Sequence, residues 1–232
     1  LDTVSVEKGG EIIPKITAIN INKRQPNSTA VRYATHCPEC NTPLERHVDE
    51  AQHYCPNTTG CMPQRVGRVA HFISRKAMDI GGLGAETIQL MMQNNLLPSY
   101  ASVYDITEAD LIPLERLAEK SAKNIVAAIA ASVEIPFSRV LFALGIRYIG
   151  QTVAKKLAQH FGSIDALALA SAQELEAVEE IGARTAESVR DFFASAENLQ
   201  IIAQLRQAGL KLEQQAKEGP VSNSLADLRF VV

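Results

Sequence analysis

The sequence predicts a mainly α protein: four repeated helical units, preceded by a small four-cysteine metal module and a β-hairpin. Three observations carry that prediction. All four cysteines fall between Cys37 and Cys61, spaced C-x2-C, 14 residues, then C-x5-C. Apolar residues recur at helical spacing from Phe72 to about residue 208, as in Ile125, Ile129 and Val133, or Val153, Leu157 and Phe161. Within that stretch a short glycine-centred pattern returns at intervals of 34, 32 and 32 residues.

Residues 1–21 alternate in polarity around Gly9-Gly10, and both glycines can take the positive φ of a tight hairpin turn. A two-stranded hairpin is marginal alone, so these strands are expected to belong to a larger sheet whose other strands lie upstream. Lys23 to Ser28 reads as a linker. The chain opens at Leu1 in mid-pattern and stops on the apolar run Leu228–Val232, so both ends read as cut.

Cys37, Cys40, Cys55 and Cys61 have the spacing of a tetrahedral four-thiolate zinc site, which leaves no open position for chemistry. The alternative is a pair of disulfides. Four cysteines in 232 residues is far below the density of a disulfide scaffold, and no export signal opens the chain. His36, His47, His53 and His71 then read as solvated or packed side chains. Leu44–Val48 and Ala51–Tyr54 read as two short strands of a zinc-ribbon-like hairpin, expected to unfold without metal. From Gln64 to Lys76 the chain carries Arg65, Arg68, His71, Arg75 and Lys76 and no acid; this is either a solvated charged face or a strip that touches phosphate.

Ser99, Thr107, Ser163 and Ser171 mark helix starts. Leu210–Leu212 is a possible strand, and Glu213–Ser224 reads as a flexible linker.

The repeats align at Leu83-Gly84, Leu117-Ala118, Ile149-Gly150 and Ile181-Gly182, each followed by an amphipathic helix. Glycine at a helix start allows close approach of a ligand, and first-turn amides together with the helix dipole favour an anion such as phosphate. This is the logic of a helix-hairpin-helix motif, which grips the nucleic-acid backbone without reading bases. A helical solenoid of similar period is the alternative, although the ankyrin and tetratricopeptide signatures are absent. The candidate DNA-binding residues are Gly82, Gly84, Lys120, Arg147, Gly150, Gln151, Thr152, Lys155, Gly182, Arg184 and Thr185. Charge ranks the copies. Phe137–Gly162 carries five basic or histidine side chains and no acid, whereas residues 163–200 are strongly acidic. The third hairpin is therefore expected to be a strong contact, and the fourth to act through its amides and Arg184. With Ala118 in place of glycine, phosphate binding by the second is in doubt.

Formal charge is −3, so overall electrostatics do not announce a nucleic-acid partner. No apolar run is long enough to span a membrane. Reduced thiols without an export signal fit the cytoplasm.

Gly10–Lys15, the cysteine spacing, Met78–Gly84, Leu114-Glu115-Arg116 and Phe142-Ala143-Leu144-Gly145-Ile146-Arg147-Tyr148-Ile149-Gly150 together resemble the C-terminal half of bacterial NAD-dependent DNA ligases. The resemblance covers essentially the whole chain and implies four parts. Residues 1–24 would be the last strands of an OB-fold, 25–70 a zinc finger, 71–212 a helix-hairpin-helix DNA-binding domain, and 213–232 a linker and the first strand of a truncated BRCT domain. The cysteines would form a structural joint between the first and third of these. Such ligases seal nicks in duplex DNA: a K-x-D-G lysine takes AMP from NAD, AMP passes to the 5′-phosphate, and the 3′-hydroxyl displaces it with Mg2+ assisting. No K-x-D-G occurs here. The resemblance thus implies a monomeric, nucleoid-associated clamp for nicked DNA that holds structural Zn2+ and is catalytically inactive alone, with the NAD and Mg2+ sites elsewhere. A stand-alone, non-enzymatic DNA-binding or repair-scaffold protein is the alternative.

Overall fold

The computed structural model describes residues 2–10, 12–46, 50–115 and 117–214. Internal contacts divide the chain into Leu1–Pro56 and Asn57–Val232.

In the first unit, β1 (Thr3–Gly9) pairs antiparallel with β2 (Ile13–Asn20). Gly9 pairs with Ile13, so the connection is three residues long; Gly10 takes φ +73° while Gly9 remains in the strand. Only one glycine of the pair therefore does the turning expected of both. A bulge between Ser5 and Val6 leaves Thr17 unpaired in the ladder, and Thr17 Oγ1 donates to the Ser5 carbonyl at 3.4 Å. Arg24 grips Asp2 with two hydrogen bonds of 2.8 and 2.9 Å, tying the start of the chain to the end of β2. Val6, Ile13 and Ile16 remain more than half exposed.

The metal module contains less regular structure than expected. Among the described residues it has single bridges, His36 to Pro43 and Glu45 to Tyr54, where two strands were anticipated. Part of the expected strand 44–48 falls outside the described residues, and closure of the module falls to the cysteines. His47, Val48 and Asp49 lie outside the described residues, as do Glu11, Arg116 and the expected BRCT strand.

In the second unit, helices flank each hairpin and pack in pairs: α1 (Met62–Ile73) with α2 (Ala85–Gln93), α3 (Glu108–Leu111) with α4 (Glu119–Ser132), α5 (Phe137–Ala143) with α6 (Gln151–Phe161), and α8 (Ala172–Glu176) with α9 (Ala183–Ala194). Helix α7 (Ile164–Leu169) packs on α6 and α9, and α10 (Ala196–Gln207) packs on α9. Helix α1 starts ten residues before Phe72, directly at Cys61, because Pro63 in its first turn is pre-set for helix. The basic strip is therefore mostly α1 itself.

One continuous core fills this unit. Phe72, Ile88, Phe137, Leu141 and Leu157 are essentially fully buried, each contributing about 2 kcal/mol of transfer free energy. The segment after α10 returns to that core: Leu210 and Leu212 are buried, and Ile164 N–H donates to the Leu212 carbonyl at 2.9 Å. It forms one bridge, Ser163 to Glu213, in place of the possible strand.

Among the described residues no single helix is long and apolar enough to cross a membrane. Helices α4 and α5 pass that test jointly, but they are bent by 118° and their apolar faces are core.

Candidate functional site

The sulfurs of Cys37, Cys40, Cys55 and Cys61 lie within 4.8 Å of one another. A tetrahedral zinc with Zn–S bonds of about 2.3 Å requires sulfurs about 3.8 Å apart. Cys40 Sγ and Cys55 Sγ stand at 3.5 Å, so the donor set fits zinc. Two turns build it. After Cys37-Pro38-Glu39-Cys40, Asn41 takes the left-handed φ +56° that Asn tolerates, and Asn41 N–H donates to the Cys37 carbonyl at 2.9 Å. In the second turn, Asn57 Oδ1 accepts from Gly60 N–H at 2.8 Å, and a Cβ on Gly60 would meet that side chain at 2.7 Å. Cys61 then caps α1.

The hydrogen bond between Cys40 Sγ and the Thr42 hydroxyl at 3.2 Å, and then that with the Thr42 backbone, lowers the Cys40 thiol to about 6. A thiolate is the species a metal binds, so these bonds favour the ligating form of Cys40. Closed four-sulfur coordination makes this site structural. His53 stacks on Tyr33 at 5.2 Å, and His71 meets Phe142 edge-on while bonding its carbonyl through Nε2 at 2.9 Å. Neither belongs to the cluster.

The hairpins share one geometry. Gly84, Ala118, Gly150 and Gly182 are the N-caps of α2, α4, α6 and α9, all extended, with φ from −80° to −94° and ψ from 156° to 177°. None makes a side-chain cap bond. Helices α3, α7, α8 and α10 begin differently, with Thr107, Ser163, Ser171 and Ser195 bonding into their first turns. Ser99 is not such a cap; its hydroxyl lies 3.2 Å from that of Ser102.

Glycine at these caps answers to nothing inside the chain. At Gly84, Gly150 and Gly182 a Cβ would meet no atom within 4 Å, and φ is negative. Gly82 is different: φ is +91°, and a Cβ there would press on Ile125. Gly82 therefore serves packing, while the cap glycines leave open space for something outside.

Around the third hairpin, Arg147, Gly150, Gln151, Thr152 and Lys155 are exposed along one loop and helix start. No acid stands between Leu144 and Ala154, whereas the first hairpin region carries Asp79 and Glu86 and the second Glu115 and Glu119. Lys120 is exposed in the first turn of α4, and Arg184 in that of α9 beside half-buried Thr185. At the fourth hairpin, Glu179 and Glu180 both pair with Lys156 of α6, at 3.0 and 3.1 Å. Two carboxylates thus stand at that tip, sharing one ammonium. These pairs draw Lys156 away from the basic set, a placement that spacing alone did not reveal. Tyr148, an exposed aromatic residue where the first hairpin has Gly82, stands two residues before the cap and beside Arg147.

Two family models match: an NAD-dependent DNA ligase C4 zinc finger domain over residues 36–62, and a helix-hairpin-helix motif over residues 139–202. Among curated proteins, the chain is 53% identical over 232 residues to a DNA ligase of Flavobacterium psychrophilum and 55% identical to one of Christiangramia forsetii, covering 100% of this chain and 35% of each relative. A DNA ligase of Porphyromonas gingivalis is 43% identical, over 100% of this chain and 34% of its own length. The chain thus spans about a third of the length of these relatives. Along its whole length it matches the zinc-finger and helix-hairpin-helix region of the bacterial NAD-dependent DNA ligases.

Proposed function

We propose that this chain is the DNA-clamping portion of an NAD-dependent ligase that seals nicks in duplex DNA. The observation that carries the reading is the contrast between two kinds of helix start. Helices α3, α7, α8 and α10 begin on a Thr or Ser that bonds into the first turn, while the second helix of each hairpin begins on Gly or Ala with no side-chain cap on its first turn. Such an end binds an anion, and a row of them follows a sugar-phosphate backbone without reading sequence. Gly84, Lys120, Arg147, Gly150, Gln151, Thr152, Lys155, Gly182, Arg184 and Thr185 form the proposed contact set, and Gly82, expected among them from the sequence, instead seats the first hairpin against Ile125. The third hairpin is strongest because no carboxylate opposes the phosphate there, and the fourth is weakened by Glu179 and Glu180.

The chain contains no K-x-D-G lysine, so adenylation and the NAD and Mg2+ sites are assigned to the rest of the enzyme. Zn2+ at the four cysteines holds structure. We assign residues 1–24 to the end of an OB-fold, 25–70 to the zinc finger, 71–212 to the helix-hairpin-helix domain and 213–232 to a linker and BRCT start. The working form is a cytoplasmic monomer.

Titration of a labelled nicked duplex at increasing salt tests the reading. Affinity should fall steeply with salt, with a slope of about 0.9 per phosphate neutralised, and should not depend on base sequence. Arg147→Glu with Lys155→Glu should weaken binding far more than Arg190→Glu. Binding that ignores salt, or equal effects of the two changes, would overturn it.

A further inference from the structure

Two residues before each cap, the described hairpins share a left-handed backbone: Gly82 at φ +91°, Tyr148 at +66° and Glu180 at +69°. Glycine adopts this freely, whereas a bulky side chain is uncommon there and marks a site worth explaining. Glu180 has an internal use, the ion pair with Lys156. Tyr148 is 43% exposed, at the edge of the acid-free loop, and the Arg147 guanidinium lies 4.9 Å from the centre of its ring. An aromatic side chain is thus kept out in solvent, in a backbone state that disfavours it, with a cation oriented against it.

We propose that Tyr148 is an apolar contact for bound duplex: its ring packs on a deoxyribose beside the phosphate held at Gly150. This deepens the clamping reading and rests on it. The ligand class follows from chemistry and position. Phosphate is served by the amides at Gly150 and by Arg147 and Lys155, and a phenol ring adds little to an anion. Two residues of chain separate Tyr148 from the cap, a reach of at most about 7 Å. The unit next to a phosphate along a nucleic-acid strand is a sugar, whose face offers the C–H surface that an aromatic ring covers. Arg147 has two uses in this arrangement, meeting phosphate and holding the ring. The contact adds affinity without displacing counterions, so salt does not remove it.

The test measures binding of the full chain to a labelled nicked duplex across a salt series, with Tyr148→Phe, Tyr148→Asn, Tyr148→Gly and Arg147→Gln. Asn and Gly both accept the left-handed backbone, so either reports on the ring with the hairpin intact, and thermal melting checks each fold. Tyr148→Phe should bind like the parent. Tyr148→Asn and Tyr148→Gly should each lose about tenfold at every salt concentration with the salt slope unchanged, a loss of the size expected for an aromatic platform. Arg147→Gln should make the slope shallower. If Tyr148→Gly binds as tightly as a parent whose binding is salt-dependent, the sugar contact is wrong and the clamp stands. A slope that changes with Tyr148→Gly as it does with Arg147→Gln also overturns it, since the ring would then act only by orienting charge. A parent that shows no salt-dependent binding overturns the clamping reading itself.

Discussion

A Cβ added to Gly82 would stand 2.8 Å from Cγ1 of Ile125, a buried residue of α4. The first hairpin is thus seated against α4 of the second hairpin at a position where even a methyl group would force Ile125 to shift. Gly82→Ala must meet both the contact and the positive φ, and should destabilise the protein by about 2–4 kcal/mol in urea unfolding. Gly84→Ala, two residues on, meets neither; as a poorer N-cap it should cost only about 0.5 kcal/mol while weakening DNA binding. Similar stability losses for the two would contradict the division between a packing glycine and a contact glycine.

Metal content gives the second prediction. Each chain should carry about one zinc, because the four sulfurs form a single closed set. Cys55→Ser, or a strong chelator, should release it and unfold the cysteine module, since few other regular interactions hold those residues. Elemental analysis with amide exchange over residues 30–70 measures both. Native protection of that segment in chelator is the result that would refute it.

The third concerns acid. Asp110 is held below its ordinary 3.8 by the Thr107 hydroxyl and then its backbone, and Glu174 below its ordinary 4.5 by the Ser171 backbone and then its hydroxyl. Both folded-state values are depressed, so the unfolded chain binds the proton more readily. Their stabilisation is present above the ordinary carboxylate values and is lost as pH falls through the folded ones. Melting temperature should therefore decline on acidification through this range. Asp110→Asn with Glu174→Gln should flatten that part of the profile, and an unchanged profile would remove these capping boxes as its source.

Much of this protein was legible from local chemistry alone. Four cysteines with short spacing can reach one metal because the chain between them is short. Repeated helix starts are visible because glycine and its apolar neighbour recur at a fixed interval. Thr107, Ser163 and Ser171 announced their helices, since a side-chain acceptor near free amides is a contact within one turn. DNA ligase relatives match the chain along its whole length, as these features led one to expect.

Other features needed the packed chain. Only tertiary structure separated Gly82, pressed against Ile125, from Gly84, which faces open space, although both read as the same glycine pair. It likewise paired Lys156 with Glu179 and Glu180 from the next repeat, which a charge count had sorted into opposite camps. It placed a strained, exposed Tyr148 at the tip of the hairpin expected to bind most strongly. Sequence determines what each turn can do through contacts a few residues apart. Which glycine packs and which lysine is already paired depend on residues brought together from more than 20 positions away, and only the fold makes those neighbours.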